Sequence, residues 1–501
     1  MPELKLETVN YVVEYGYNNR TKKYGIFIKA KEKGGAKAFH TQFNLLDFNN
    51  NIIGMPDITE QVARYIIAHF DLKGDTESFN IYQNELESKD LKNRKSICAD
   101  QVRHQITIPE KSFTATGDKL FYHWPIFKKF KETGFQSIIR ATLTLHQLCS
   151  SKCHYCSTIR RNKADSITLN DAKAFIHKLY FDQAEFNINQ FPEYNRDYQK
   201  ITGSDIRLKS LILSGGGQPN LWPYFEEFVD WCSQLDIDMG LITNGFPKKV
   251  NENIYRKFKW IRISITPEDA SPFYVDGKFN RQYMPESIKN NPNIKVGLSY
   301  VYGPWTTDDI LLRIGDVLNR FGFDYCRVLT DCNLTRDAQL VAHKNLAEHL
   351  FNLKLIDENG KPTSNFFHQL KYHGSKKEAH ELWKEEFCYL QIYNTFWDTT
   401  GHSEFGYSYC YACDSITVLA EESESGIKSS ERKFNYEKWG TVKNIEVEKL
   451  FNEPHKKYFN PQRICSSCLF MRNNQVVKDL VLMKNHDKIE LSHSLEHVNF
   501  P

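Results

Sequence analysis

Cys149, Cys153 and Cys156 fall in the run Cys149-Ser150-Ser151-Lys152-Cys153-His154-Tyr155-Cys156, separated by three and then two residues, just after an apolar stretch. Three thiolates so placed can hold three irons of a 4Fe-4S cube and leave the fourth iron open to an exogenous ligand. A zinc knuckle on the same thiols would need a fourth ligand at tetrahedral distance, for which His146 and His154 are near in sequence. Ferredoxin-type runs keep two-residue gaps and place a fourth cysteine on the chain.

That spacing, with the aromatic Tyr155 before the last cysteine, resembles the radical S-adenosylmethionine (radical SAM) superfamily. The resemblance implies a catalytic 4Fe-4S cluster on Cys149, Cys153 and Cys156, with the methionine moiety of S-adenosylmethionine on the open iron. An electron donor such as flavodoxin or ferredoxin would drive cleavage to a 5'-deoxyadenosyl radical that abstracts a substrate hydrogen. It also assigns Tyr155 to packing on the adenine.

A second segment fits the same family. Ser214-Gly215-Gly216-Gly217-Gln218-Pro219-Asn220-Leu221 follows an apolar strand. Glycines admit close backbone approach and positive φ, although a glycine run alone is a turn signal. Downstream of the thiols it resembles the family's Gly-Gly-Glu segment, which contacts the methionine amino group and makes Gly215, Gly216, Gly217 and Gln218 cofactor-binding candidates. Gln218 departs from the usual Glu: an amide oxygen still accepts a hydrogen bond, without charge assistance. Further along, Thr243-Asn244-Gly245 closes a third strand, and Arg262, Ser264 and Thr266 share one face of a fourth by the two-residue period. The resemblance makes Ser264 a cofactor contact and points also to Gly297 and Tyr300 around a fifth strand.

Five more thiols lie toward the C-terminus: Cys388, Cys410, Cys413, Cys465 and Cys468. Two Cys-x-x-Cys pairs could build a zinc ribbon, although their separation exceeds the usual fifteen to twenty residues. With Trp439-Gly440-Thr441-Val442-Lys443-Asn444 between them, the layout resembles the twitch or shortened SPASM extension, which implies a second, auxiliary 4Fe-4S cluster. One cube needs four ligands, so either Cys410 or Cys413 is the spare. Enzymes with this extension modify peptides or proteins or oxidise sugar alcohols; a peptide or protein is the substrate expected here, ahead of a sugar or other small metabolite and of RNA. The reading from a different class is a non-catalytic iron-sulfur or zinc scaffold, which would need neither the glycine segment nor an open iron.

Elements must position these residues. Apolar runs at Ala141–Leu145, Leu208–Leu213, Met239–Thr243, Ile261–Ile265, Val296–Val301 and Tyr325–Leu329 alternate with helical patterns, which predicts a parallel sheet with helical crossovers. The resemblance specifies it as an α/β fold, a partial (β/α)6 TIM-like barrel over 121–335. A helix is expected from Thr168, with Asp171 completing a cap; the polar stretch Asp182–Arg207 reads as a surface insertion. Residues 1–120 read as a small α+β module: three alternating strands, then a helix from Asp57 with Ile58, Val62, Tyr65, Ile66 and His69 on one face. Residues 336–501 form the cysteine-rich extension.

The 501 residues, 41% hydrophobic and 14% aromatic, suit an ordinary globular protein. A formal charge of +3 gives no basis for a nucleic-acid partner. No uncharged run could span a bilayer, and grouped rather than dispersed cysteines, behind a charged start at Met1-Pro2-Glu3-Leu4-Lys5, suggest metal ligation in the reducing cytoplasm.

Overall fold

The computed structural model describes strands within residues 4–41 and the chain from 117 to 501, apart from 152, 154, 157–161, 246–249, 267–285, 332–333, 335, 357–365, 370–386, 414–441, 455–460, 462–469, 484–485, 487–488, 490 and 492–496. The helix expected from Asp57 and the thiols Cys465 and Cys468 lie outside the described residues.

The N-terminal strands are β1 (Leu4–Glu7), β2 (Tyr11–Asn18), β3 (Lys23–Ala30) and β4 (Phe39–Thr41), antiparallel neighbours in that order. Alternation in the sequence anticipates three of them; Leu4–Glu7 adds the fourth.

The second sheet carries the site. Its strands are β5 (Arg140–Leu143), β6 (Ser210–Leu213), β7 (Asp238–Thr243), β8 (Phe258–Ile265), β9 (Lys295–Tyr302), β10 (Tyr325–Thr330), β11 (Phe366–Gln369), β12 (Asn394–Asp398), β13 (Tyr409–Tyr411) and β14 (Val442–Lys443). The order is β11-β10-β9-β8-β7-β6-β5-β12-β13-β14. From β11 through β12 every pairing is parallel; β13 and β14 are antiparallel additions. The six expected strands are therefore adjacent and in sequence order, and the sheet is wider than expected: β11 and β12, from beyond position 335, flank them on opposite edges. Parallel strands covered on both faces read as continuous apolar runs, as in β6, where all four residues are buried.

The helix Leu169–His177 crosses from β5 toward β6 and begins as its sequence predicts: Thr168 Oγ1 accepts from the Asp171 amide at 3.1 Å and donates to the Asp171 carboxylate at 2.8 Å. The polar stretch that follows is not a surface insertion. It forms the helices Gln183–Gln190 and Pro192–Thr202, in which Gln183, Asn187 and Tyr198 are completely buried. Their polarity has a structural use. The Gln183 amide bonds both backbone groups of Ile138, just before β5, and Asn187 Oδ1 accepts from the buried Lys129 ammonium at 2.7 Å, so groups without a ladder partner are satisfied by side chains.

One core cluster runs between the parallel sheet and its crossover helices; a second lies between the helices Trp124–Thr133 and Met471–Leu482 and one face of β12 and β13. Among the described residues no helix is long and apolar enough to cross a membrane.

A pocket of thiols and glycines at the strand ends

A cavity of about 320 Å³ lies at the C-terminal ends of the parallel strands. Thr142 of β5, Ser214 after β6, Thr243 of β7, Ser264 of β8, Ser299 and Val301 of β9 and Phe396 and Asp398 of β12 all line it. Strands several positions apart reach one cavity only because the sheet curves. Ligands of parallel α/β sheets bind beyond these ends, and the volume suits a small molecule.

The three motif thiols line this cavity, as does Tyr155. Each is partly exposed, as accessible ligands must be. Among the described residues no three His, Cys, Asp or Glu side chains form a closed metal-ligand set; the thiols face the cavity without converging. His146 sends Nε2 to the Gln218 carbonyl oxygen at 2.6 Å, and His154 lies outside the described residues.

The glycines line the same cavity, and their need for no side chain comes from packing. A Cβ at Gly215 would lie 2.1 Å from Thr144 Oγ1, at Gly216 1.5 Å from Gln147 Oε1, and at Gly217 2.4 and 2.6 Å from the carbonyl oxygens of His146 and Leu148. The glycine loop therefore rests directly on the segment entering the thiol loop, and only Gly215, with φ +128°, also needs positive φ.

Gln218 is 2% exposed and fully engaged. Its backbone N–H donates to Leu148 O at 2.7 Å, its side-chain oxygen accepts from the Asn244 N–H at 2.7 Å, and its Nε2 donates to Asn220 Oδ1 and Thr243 Oγ1. A glutamate has no N–H to give Asn220 Oδ1, although it could accept from the Thr243 hydroxyl. Asn244, after β7, sends Nδ2 to Ser150 Oγ at 3.1 Å, Ser151 Oγ at 2.9 Å and Cys149 Sγ at 3.9 Å.

Tyr155 stacks on Trp305, with centroids 5.3 Å apart and planes at 21°. Trp305 is held by its Nε1 bond to Val301 O at 3.1 Å. Ser264 of β8 and Thr266 just after it line the cavity; Arg262 does not, and its guanidinium lies over the Trp260 ring. On β9, Ser299 and Val301 reach the cavity, whereas Gly297 lies under the Tyr325 ring and Tyr300 is buried in the core. Ser299 pairs with Ser264 in register, and a serine within an apolar strand was the available signal.

Sequence reasoning passed over Gln147, Phe396 and Asp398. The last two sit on β12 and reach the cavity because β12 pairs parallel with β5, a long-range contact with no local pattern. Gln147 donates to the Thr399 and Thr400 hydroxyls at 3.1 and 3.3 Å, and Asp165 accepts from the amides of Gly401 and Ser403 at 2.8 and 3.0 Å. These bonds fasten the turn after β12 to the flanks of the thiol loop. Asp398 is the one charged side chain among the described lining residues.

The described C-terminal thiols divide between the two core clusters. Cys410 points into the large core, whereas its neighbours Tyr409 and Tyr411 belong to the second cluster, with Cys388 and Cys413. Burial raises the Cys388 thiol to about 11 and pushes Cys410 up as well.

The residues present fit an iron-sulfur cluster with a small-molecule ligand beside it: three accessible thiols, an amide N–H directed at one sulfur, and a glycine stretch that leaves no side chains in the cavity.

No protein-family model matches the chain, and no curated protein matches it. It is similar to solved structures. SuiB of Streptococcus suis bound to the precursor peptide SuiA is 13% identical, with TM-score 0.40, over 79% of this chain and 84% of SuiB. SuiB bound to S-adenosylmethionine is 13% identical, with TM-score 0.37, over 81% and 82%. BtrN in complex with AdoMet and 2-DOIA is 10% identical, with TM-score 0.24, over 66% of this chain and 92% of BtrN.

Proposed function

We propose that the chain is a radical SAM enzyme acting on a peptide or protein. The observation carrying this reading is that Cys149, Cys153 and Cys156 share one cavity, at the C-terminal ends of parallel strands, with the Gly215–Gln218 segment and with Ser264 and Thr266. A zinc knuckle or scaffold would use the thiols without that shared cavity.

In this reading a 4Fe-4S cluster with bound S-adenosylmethionine supplies reductive cleavage to a 5'-deoxyadenosyl radical. Cys149, Cys153 and Cys156 hold the cluster and leave one iron open. The glycine wall provides room beside the thiols, and Ser264 and Thr266 offer hydroxyls to the cofactor's polar edge. The Tyr155–Trp305 stack supplies an aromatic surface for a purine. Asp398 adds a buried carboxyl group to the polar lining. Phe396 and Asp398 bring the C-terminal region into the cavity, so substrate selection belongs partly to that region.

For the auxiliary site we propose Cys388, Cys413, Cys465 and Cys468 as the cluster ligands and Cys410 as the spare, because Cys388 and Cys413 border the same cluster of side chains and Cys410 points away.

Metal analysis tests the assignment. Anaerobically reconstituted protein should hold about eight irons per chain, and the variant with Cys149, Cys153 and Cys156 all replaced by Ala about four, by the two-cube ligand count. One equivalent of zinc and no iron would fit the scaffold reading instead.

A further inference from the structure

Resting on the proposed function, we infer that Asn244 is a positioning residue that sets the reduction potential of the catalytic cluster through its bond to Cys149, and that Gln218 serves by orienting Asn244.

Asn244 stands after β7 and is 8% exposed. Its Nδ2 reaches both hydroxyls of the thiol loop and, at 3.9 Å, Cys149 Sγ. Its backbone N–H is held by Gln218 Oε1 at 2.7 Å, while Gln218 Nε2 binds Thr243 and Asn220. Asn220 in turn bonds the phenol of Tyr255 through its side chain, which leaves Asn220 Oδ1 as the acceptor for Gln218. The donor and acceptor pattern around position 218 therefore calls for an amide. A carboxylate would set oxygen against oxygen at Asn220, so the departure from Glu is explained within the chain itself.

An N–H directed at a cluster sulfur stabilises the reduced, more negative state and raises the potential. Loss of this donor should lower it. The serine hydroxyls fix the loop without touching sulfur in this way, so the two roles separate by mutation.

The test is an EPR-monitored dithionite titration of reconstituted protein, following the signal that changes when S-adenosylmethionine is added. Asn244→Ala and the isosteric Asn244→Asp should lower the potential so that the reduced-to-oxidised ratio at fixed potential falls about threefold to tenfold, the latter equal to about 59 mV for one electron. The Ser150→Ala/Ser151→Ala double variant should keep the wild-type potential while hydrogen exchange of the loop speeds up. If both Asn244 variants lose the cluster, Asn244 holds the thiol loop rather than tuning the potential, and the inference is overturned. Wild-type potential in either Asn244 variant, or an equal shift in the serine variant, overturns it. A wild type with no S-adenosylmethionine-sensitive signal would instead refute the radical reading itself.

Discussion

The glycine segment shows how one residue type can be right for a reason its sequence does not reveal. Gly215, Gly216 and Gly217 are legible as a tight wall beside a ligand, yet the atoms that exclude a Cβ belong to Thr144, Gln147, His146 and Leu148. The distances rank the substitutions. At Gly216 the obstacle is the end of a flexible glutamine, which can turn aside; at Gly217 it is two backbone carbonyls, which cannot. Gly217→Ala should therefore cost about 1 to 3 kcal/mol, in the range of overpacked sites, and more than Gly216→Ala, as read by denaturant unfolding of the metal-free protein. Equal costs would mean that the loops do not meet as described. Gln218 is a similar case. The sequence permits it to accept a hydrogen bond from a ligand, and the fold shows that Asn244 already occupies that oxygen. Gln218→Glu should accordingly destabilise by about 1 to 3 kcal/mol, the cost of leaving buried partners unsatisfied, whereas a Gln218→Glu variant as stable as wild type would contradict the network. The thiols themselves needed no fold to be found, since their spacing is local; Gln147 and Asn244 needed it, because their partners come from other strands.

At the level of elements, the six central strands are legible because each is a short apolar run between helical patterns. β11 and β12 are not, because nothing in their own residues says that they will pair beside β10 and β5 across long stretches of chain. The helices of 183–202 were hidden for another reason: their buried faces carry Gln183, Asn187 and Tyr198, whose polar atoms are satisfied by backbone and side chains elsewhere, so polarity misread as exposure. The two core clusters yield a prediction, because Cys410 belongs to one and Cys413 packs on the other. Since Cys410 and Cys413 lie on different sides, Cys413→Ala should remove most of the auxiliary iron, about four per chain by the ligand count, while Cys410→Ala should leave the iron content unchanged. The opposite outcome would move the auxiliary site to the other face of the sheet.

At the scale of the whole molecule, buried histidines couple the fold to pH. His123, His343 and His486 are each lowered to about 4, chiefly by burial. His123 joins distant parts of the chain, bonding Tyr198 at 2.9 Å and Val498 O at 3.1 Å. The unfolded forms titrate near 6.5, so between about pH 6.5 and 4 the unfolded chain binds more protons, and stability falls as pH falls through that window. From pH 7 to 5 the loss should be roughly 2 kcal/mol per histidine. His123→Gln should reduce the proton uptake on unfolding by about one; an unchanged pH slope would mean that His123 is not buried neutral. The larger claim is that these strands, loops and thiols together make a site for radical chemistry. Its most direct test is 5'-deoxyadenosine formation by the anaerobically reconstituted protein given dithionite and S-adenosylmethionine. The account predicts 5'-deoxyadenosine from the wild type and none from the variant lacking Cys149, Cys153 and Cys156; equal product from both, or none from a wild type carrying its full iron, would contradict it.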